Sequence, residues 1–232
     1  MCNMDCFRWV AKNLSEKEIK GKKIIEVGSY DVNGSLRYII ELLKPKEYIG
    51  VDIERGSGVD IICSAEKLIE RFGKNSFDVV ISTCVLEHVR DWKTSVSNIK
   101  NVCRENGVII IIVPSQWGFH PYPQDYWRFS RKDMQKIFQD CDIQELDEDI
   151  NVPSLVYAKF VKPRKFVEKD LSLFALYSII TNRKIKTLTD KDFYNFHYRF
   201  LTLRHKIMKL ILKLGIFLFR IDRLSNNINA VE

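Results

Sequence analysis

Two carboxylates, one glycine-bearing turn and two histidines carry the chemistry that this chain offers. Glu26 lies in an apolar run, Ile24-Ile25-Glu26-Val27, that stops at Gly28, and a small polar stretch runs from Ser29 to Ser35. Asp52 ends a second run, Tyr48-Ile49-Gly50-Val51, 24 positions beyond Gly28. A glycine lets the backbone approach a ligand closely, and a carboxylate ending the next strand accepts bonds from ribose hydroxyls. That layout predicts a nucleotide-type pocket. His88 follows Glu87 at the mouth of the apolar run Phe77–Ser82, where an imidazole of ordinary pKa, about 6.5, serves as a base near neutral pH. The segment Trp117 to Phe129 interleaves aromatic residues with His120, Asp125 and Arg128. Aromatic faces suit sugar C–H surfaces or a cation, and an Asp–Arg pair positions hydroxyl or carboxylate groups. The same residues also fit a self-packed loop with Trp127 and Phe129 buried and Asp125 bonded to Arg128, and both readings stay open.

Behind these residues the sequence predicts strands at 24–27, 47–52, 59–63, 77–82 and 108–113. Between them the periodicity predicts helices at 34–43, from 64 to about 72, and at 91–103. Asn33 and Ser35 are available to cap the first of these. Residues 77–82 are almost all apolar, as a central parallel strand requires, and residues 108–113 are six consecutive β-branched residues stopped by Pro114. Ser130-x-x-Asp133 signals a helix start. Residues 141–148 and 154–161 read as an antiparallel pair. The expected fold is α/β: a doubly wound, mostly parallel seven-stranded sheet with a terminal antiparallel hairpin, plus appended C-terminal helices. Residues 1–21 read as an N-terminal helical segment, with helix over 6–19. Residues 22–163 read as the ligand-binding domain, and 164–232 as a basic, amphipathic helical extension with helix over 165–182 and 193–224.

The chain has 232 residues, 46% of them hydrophobic, and a net charge of +7, which permits an anionic partner without choosing one. Its six cysteines contain no CxxC pair, and Cys63, Cys84 and Cys103 read as small buried hydrophobes, so no metal is expected. No signal peptide or spanning helix is expected, and the predicted setting is reducing and cytoplasmic. Residues 193–224 hold seven Lys or Arg and one Asp, nearly the whole net charge. Leu203, Ile207, Leu210, Leu214, Phe217, Leu218 and Ile221 share one helical face, and Lys206, Lys209, Lys213 and Arg220 cluster elsewhere. Three uses stay open: capping the core, a homodimer interface, or peripheral contact with an anionic membrane surface. Nucleic acid is not expected, because the apolar face is too large for a solvated DNA-binding helix.

Five segments in order resemble a class I S-adenosylmethionine-dependent methyltransferase. They are IIEVGSYDVNGS, IGVDI, VDIICSAEKL, FDVVISTCVLEHVRDW and NVCRENGVIIIIVP. The PQDYWRF segment resembles a subgroup thought to act on glycans or related metabolites. The resemblance implies S-adenosylmethionine as cofactor and a small-molecule or glycan acceptor methylated on oxygen or nitrogen. It implies that Glu26 accepts the cofactor's amino group, that Gly28 and Ser29 pass close to its methionine portion, and that Asp52 takes the ribose. Ile53 would pack on adenine, Ser64 and Ala65 would read its edge, and Thr83 and Cys84 would form the floor. His88 or His120 would be a general base, and Asp125 and Arg128 would place the acceptor. Two departures stand out. The second glycine of the turn is displaced to Gly34, leaving Asn33, Gly34 and Ser35 to supply the close approach, and Ser64 stands where aspartate is common. They motivate a rival reading, a non-catalytic adaptor on the same fold recruited to membrane or a partner by the basic C-terminal helix. A third reading, from a related topology, is an NAD-dependent dehydrogenase, which the Leu-Glu-His segment and terminal hairpin disfavour.

Overall fold

Apolar runs without polar alternation can only be satisfied by burial on both faces, and that is where they lie. The computed structural model describes residues 4–228 except 33 and 152, with side chains described as far as residue 213. The chain opens with α1 (Met4–Asn13) and α2 (Glu16–Ile19), then β1 (Lys23–Val27), α3 (Arg37–Leu42), β2 (Glu47–Asp52) and β3 (Ile61–Ile62). A 3-10 turn at Ala65–Lys67 leads into α4 (Leu68–Phe72), β4 (Phe77–Thr83), a second 3-10 turn (Leu86–His88), α5 (Trp92–Val102) and β5 (Cys103–Gln116). Next come β6 (Trp127–Arg128), α6 (Arg131–Ile137), β7 (Asp142–Glu148) and β8 (Ser154–Val161). The chain continues through β9 (Leu176–Ser178), β10 (Arg183–Ile185), a 3-10 turn (Asp190–Tyr194) and α7 (Phe196–Ile228).

Seven strands form one sheet in the order β3-β2-β1-β4-β5-β8-β7. The β3–β2, β2–β1, β1–β4 and β4–β5 pairs are parallel, and β8 and β7 close the sheet antiparallel. The expected α/β fold with its terminal hairpin is therefore the observed one. The order reverses between β1 and β4, which opens a crevice at the carboxyl ends of those two strands. Side chains alternate across the sheet. Ile25, Val80, Ile109 and Ile111 pack with Trp92, Val96 and Ile99 of α5 and Met134 and Ile137 of α6. Ile24, Val79, Ile81, Ile110 and Ile112 pack on the other face with Cys6, Phe7 and Val10 of α1 and Ile40 of α3. Each such side chain contributes about 1.5–3 kcal/mol on burial. β7, DIQELDE, is exposed and acidic along nearly its whole length, which discourages pairing at the free edge.

The helix starts follow their signals. The Asp91 carboxylate accepts the Thr94 N–H at 3.2 Å, and Ser130 and Asp133 form a reciprocal capping box. Cys103 is buried, and burial pushes its thiol up to about 12, so it stays neutral as a small apolar group. Three expectations change. The 6–19 helix is two helices that break at Leu14-Ser15. The helix at 34–43 is confined to Arg37–Leu42, with the Ser35 hydroxyl accepting the Arg37 N–H at 3.1 Å. Residues 165–182 hold no helix: β9 joins β6 and β10 in a small antiparallel sheet. Leu176, Ile179 and Ile180 do fall at i, i+3, i+4, but strand pairing of Leu176–Ser178 and burial of Leu171, Ile179, Ile180 and Leu188 against the main core override that local period.

The α7 helix forms as expected. Leu201 is buried in the core, whereas Leu203, Ile207, Met208, Leu210, Ile211 and Leu212 are exposed. Leu214, Phe217, Leu218, Arg220 and Ile221 carry the rest of the expected faces, and their side chains lie outside the described set. Among the described residues no helix is long and apolar enough to cross a membrane.

Candidate active site

A cavity of about 310 Å³ opens at the carboxyl ends of β1, β2 and β4. Glu26 and Asp52 reach it from adjacent parallel strands. Glu26 is buried and accepts the Tyr48 hydroxyl on Oε2. Burial pushes its carboxyl up to about 7 against the opposing pull of the Tyr48 bond and the more distant Arg37 charge. Arg37 stacks over the Tyr48 ring at 4.6 Å and is tied to Asp60 and, at 3.3 Å, to the Gly58 carbonyl. A cationic group beside Glu26 would reverse the burial penalty.

Asp52 is held at both oxygens. The Tyr30 N–H donates to Oδ2 at 3.2 Å and the Glu54 N–H to Oδ1 at 3.1 Å. A carboxylate accepts about four bonds, so two remain for paired hydroxyls in the cavity. Ile53, beside it, lines the cavity while 57% exposed, an apolar face available to a flat ring.

Two glycines shape the wall. Gly28 has φ +81°, and a Cβ there would stand 2.1 Å from Val85 Cγ2. Gly34, the displaced second glycine, has φ +113°, and its Cβ would meet the Phe7 ring at 3.0 Å. The displacement thus draws α1 into the pocket wall. Asn33 lies outside the described residues. Ser29 is buried, lines the cavity and finds no hydrogen-bond partner for its hydroxyl among the described residues. Ser64 and Ala65 form one edge, and Thr83 and Cys84, where the chain turns out of β4 with Cys84 at φ +54°, form the floor.

The far side of the cavity is built from His88, Val89, Arg90, Tyr122 and Pro123. His88 Nδ1 rests on the Gln124 carbonyl, and its ring meets that of His120 edge to face at 5.2 Å. Burial lowers the His120 pKa despite the charge of Asp125, so its ring is neutral near pH 7. His120 stands behind His88 rather than on the cavity surface.

Asp125 and Arg128 differ from the acceptor-placing role. They are 0% and 5% exposed, and the guanidinium spans both Asp125 oxygens and the carbonyls of Trp117, Gly118 and Trp127. Asp125 also accepts the His120 N–H at 2.9 Å. The pair closes the loop on itself and positions His120. Trp127 Nε1 donates to the Val89 carbonyl at 3.0 Å and the Tyr126 N–H to the Glu87 carbonyl at 2.8 Å, which locks the loop to the His88 turn.

Phe7, on the N-terminal helix that its apolar side suited to cover the pocket, and Tyr122 of the aromatic loop line the cavity, as do Tyr30 and Arg90, which were not singled out in sequence. Tyr30 had a signal, its place in the glycine turn. Arg90 had none: it gains its setting from Asp190 at 2.8 Å, the Leu188 carbonyl at 3.1 Å and the Phe193 ring at 5.4 Å, a hundred residues away in the chain.

The residues present fit a ligand with an ammonium group, a ribose and a flat base. Residues 33–111 match the family described as a methyltransferase domain. No curated protein matches the chain. Among solved structures, the chain is similar to the Burkholderia thailandensis 1,6-didemethyltoxoflavin-N1-methyltransferase, solved with its substrate and S-adenosylhomocysteine. Identity is 13% and the TM-score 0.56, over 68% of this chain and 78% of that one. A Haloferax volcanii putative methyltransferase in complex with the Trm112 activator gives 14% identity and a TM-score of 0.52, over 71% and 93%. The [4+2]-cyclase SpnF gives 11% and 0.54, over 68% and 80%. At these identities the likeness is one of fold.

Proposed function

We propose that the protein is an S-adenosylmethionine-dependent methyltransferase acting on an oxygen or nitrogen of a small metabolite or glycan-type acceptor. One observation carries this reading: Glu26 and Asp52 face a single cavity from neighbouring strand ends, with the Gly28 turn between them. The methyltransferase-domain match over residues 33–111 supports it.

The bound cofactor supplies an electrophilic sulfonium methyl. The chain's task is then to place a nucleophile in line with it and exclude water. Glu26 holds the amino group, Asp52 holds the ribose hydroxyls, and Ile53 with Ala65 flanks the base. His88 faces the cavity on the acceptor side, where its ring accepts a proton from the attacking oxygen or nitrogen. Asp125 and Arg128 act through the loop, by holding His120 and the Tyr122-Pro123 wall.

The test is calorimetry with S-adenosylhomocysteine. Saturable binding that Asp52→Ala weakens roughly 10–100-fold is expected, from the loss of hydrogen bonds to a charged group. A folded protein that binds none of it ends this reading. Labelled methyl transfer from the cofactor into a cell extract separates an enzyme from a non-catalytic adaptor, which would bind and transfer nothing.

The α7 surface supports a peripheral membrane contact as part of the same proposal. Its exposed apolar residues from Leu203 to Leu212 lie among exposed Arg204, Lys206, Lys209 and Lys213. Flotation with anionic vesicles should recover the full chain, and charge reversal at Lys206, Lys209 and Lys213 should abolish recovery. Equal flotation on neutral vesicles argues against a charge-driven contact, and a stable dimer that never floats argues against the membrane.

A further inference from the structure

Behind the acceptor side of the cavity, Glu87, His88 and His120 each bring one ligand atom to within 4.8 Å of the others. Glu87 is 1% exposed, and its Oε2 has no hydrogen-bond partner among the described residues. A buried carboxylate oxygen left without a donor is costly unless a cation, a proton or a water occupies the space beside it. The two imidazoles are already oriented as ligands. Nδ1 of His88 rests on the Gln124 carbonyl, and Nδ1 of His120 on the Gly118 carbonyl at 2.9 Å, with Asp125 Oδ2 at 3.2 Å. Each Nδ1 proton is thereby fixed, which leaves the lone pair on Nε2, and His88 Nε2 stands 3.8 Å from Glu87 Oε1. Metal-binding histidines are held in this way, by a carbonyl or carboxylate behind the other ring nitrogen.

We infer that Glu87, His88 and His120 form a binding site for a divalent first-row transition cation beside the cofactor cavity, which His88 lines, with one coordination position left open. Two imidazoles and one carboxylate suit zinc, iron or cobalt rather than magnesium or calcium, which prefer all-oxygen shells. Donors roughly 2.1 Å from a tetrahedral cation lie roughly 3.4 Å apart, so modest ring rotations close the present spacing.

The inference rests on the methyltransferase reading for its use. With its Nε2 on the cation, His88 would no longer be the base that it is in the cation-free reaction; an acceptor hydroxyl bound at the open position would instead lose its proton to solvent near neutral pH, because a cation lowers the pKa of a bound hydroxyl. The freed oxygen lone pair forms the O–CH3 bond, the C–S bond breaks, and its electron pair stays on sulfur. The balance is one hydroxyl acceptor and one sulfonium giving one methyl ether, one neutral thioether and one proton. Loop closure by Asp125 and Arg128 then has a purpose beyond stability, since it sets the third ligand.

The test uses the metal-stripped full chain titrated with cobalt(II), followed by its visible absorption, and with zinc(II) against a chromophoric chelator. One equivalent should bind, with the intense d–d bands of a four-coordinate nitrogen–oxygen site and no thiolate charge-transfer band. His120→Ala and Glu87→Gln should each weaken binding at least tenfold; His120 sits on a loop, so that variant remains readable if the buried Glu87 substitution misfolds. Absence of tight binding, a thiolate band, or binding unchanged by His120→Ala overturns the inference. Calorimetry with S-adenosylhomocysteine on the same samples separates the two failures. Donor-site binding without a cation leaves the methyltransferase reading standing alone, and no donor-site binding removes that reading whatever the metal does.

Discussion

The Glu26→Gln substitution should stabilise the empty protein and weaken its hold on the cofactor, in opposite pH-dependent ways. Glu26 is buried at the end of β1, and burial pushes its carboxyl up to about 7 from an ordinary value of 4.5. An acid whose folded pKa is raised favours the folded state while it is protonated. Between about pH 4.5 and 7 the native protein therefore holds a proton that the unfolded chain has released, and stability falls as pH rises through that window. Above pH 7 the whole difference is felt, about 3 kcal/mol. Glutamine has no charge to bury and still offers an oxygen to the Tyr48 hydroxyl. The variant should therefore be more stable than the wild type at pH 8 by up to about 3 kcal/mol, or roughly 6–12 °C in Tm for a chain of this size, and nearly equal to it at pH 5. Cofactor binding should run the other way. In the wild type, affinity for S-adenosylhomocysteine should rise between pH 5 and 7.5 as Glu26 ionises to meet the amino group. The variant should lose that slope and roughly 10–100-fold in affinity at pH 7.5. Thermal melts and calorimetry at matched pH give both quantities. A variant less stable than wild type at pH 8, or a stability difference that ignores pH, would refute the argument.

Gly28→Ala places a methyl 2.1 Å from Val85 Cγ2 at a φ of +81°, so it should cost roughly 1–3 kcal/mol and abolish S-adenosylhomocysteine binding in calorimetry. Asp125→Ala leaves the Arg128 guanidinium buried without its counter-ion, an expected loss of roughly 3–5 kcal/mol by denaturant titration, whereas cofactor affinity in the surviving folded fraction should change little. Lys100, fully buried with Nζ 2.7 Å from Asp140, offers a control far from the cavity. Lys100→Met should destabilise by roughly 3–5 kcal/mol, and the Lys100→Met, Asp140→Leu pair should recover most of it, both read by denaturant melts.

The sheet and donor side of the site were legible because local sequence fixes them. Parallel strands that are buried twice over read as unbroken apolar runs, and their ends carry Glu26, Asp52 and Thr83 to one edge whatever the rest of the chain does. All the expected cofactor residues within the described set line one cavity. The acceptor side was less legible because its geometry comes from contacts between distant segments. Arg90 takes its place from residues 188 to 193, β6 finds its partner in β9, and Phe119 is covered by Tyr198 and His205 of α7. Residues 165–182 illustrate the failure. A stretch with scattered apolar residues after a proline was read as helix, when those residues meet a small sheet and a core already formed elsewhere.

That division decides how far fold can be taken toward function. A methyltransferase acting on 1,6-didemethyltoxoflavin and a [4+2]-cyclase share this architecture at comparable TM-scores, so the sheet and its crevice do not select a reaction. Selection must come from what stands opposite the donor pocket. Here that is a loop whose buried Asp125–Arg128 pair spends its hydrogen bonds on its own carbonyls, holding His120 against His88 and both against a buried Glu87. Packing of that loop does not account for the carboxylate oxygen left without a donor at its base among the described residues, where a cation, a proton or a water would sit. The orphaned Glu87 Oε2, more than the fold, is the feature that any account of the acceptor chemistry has to satisfy.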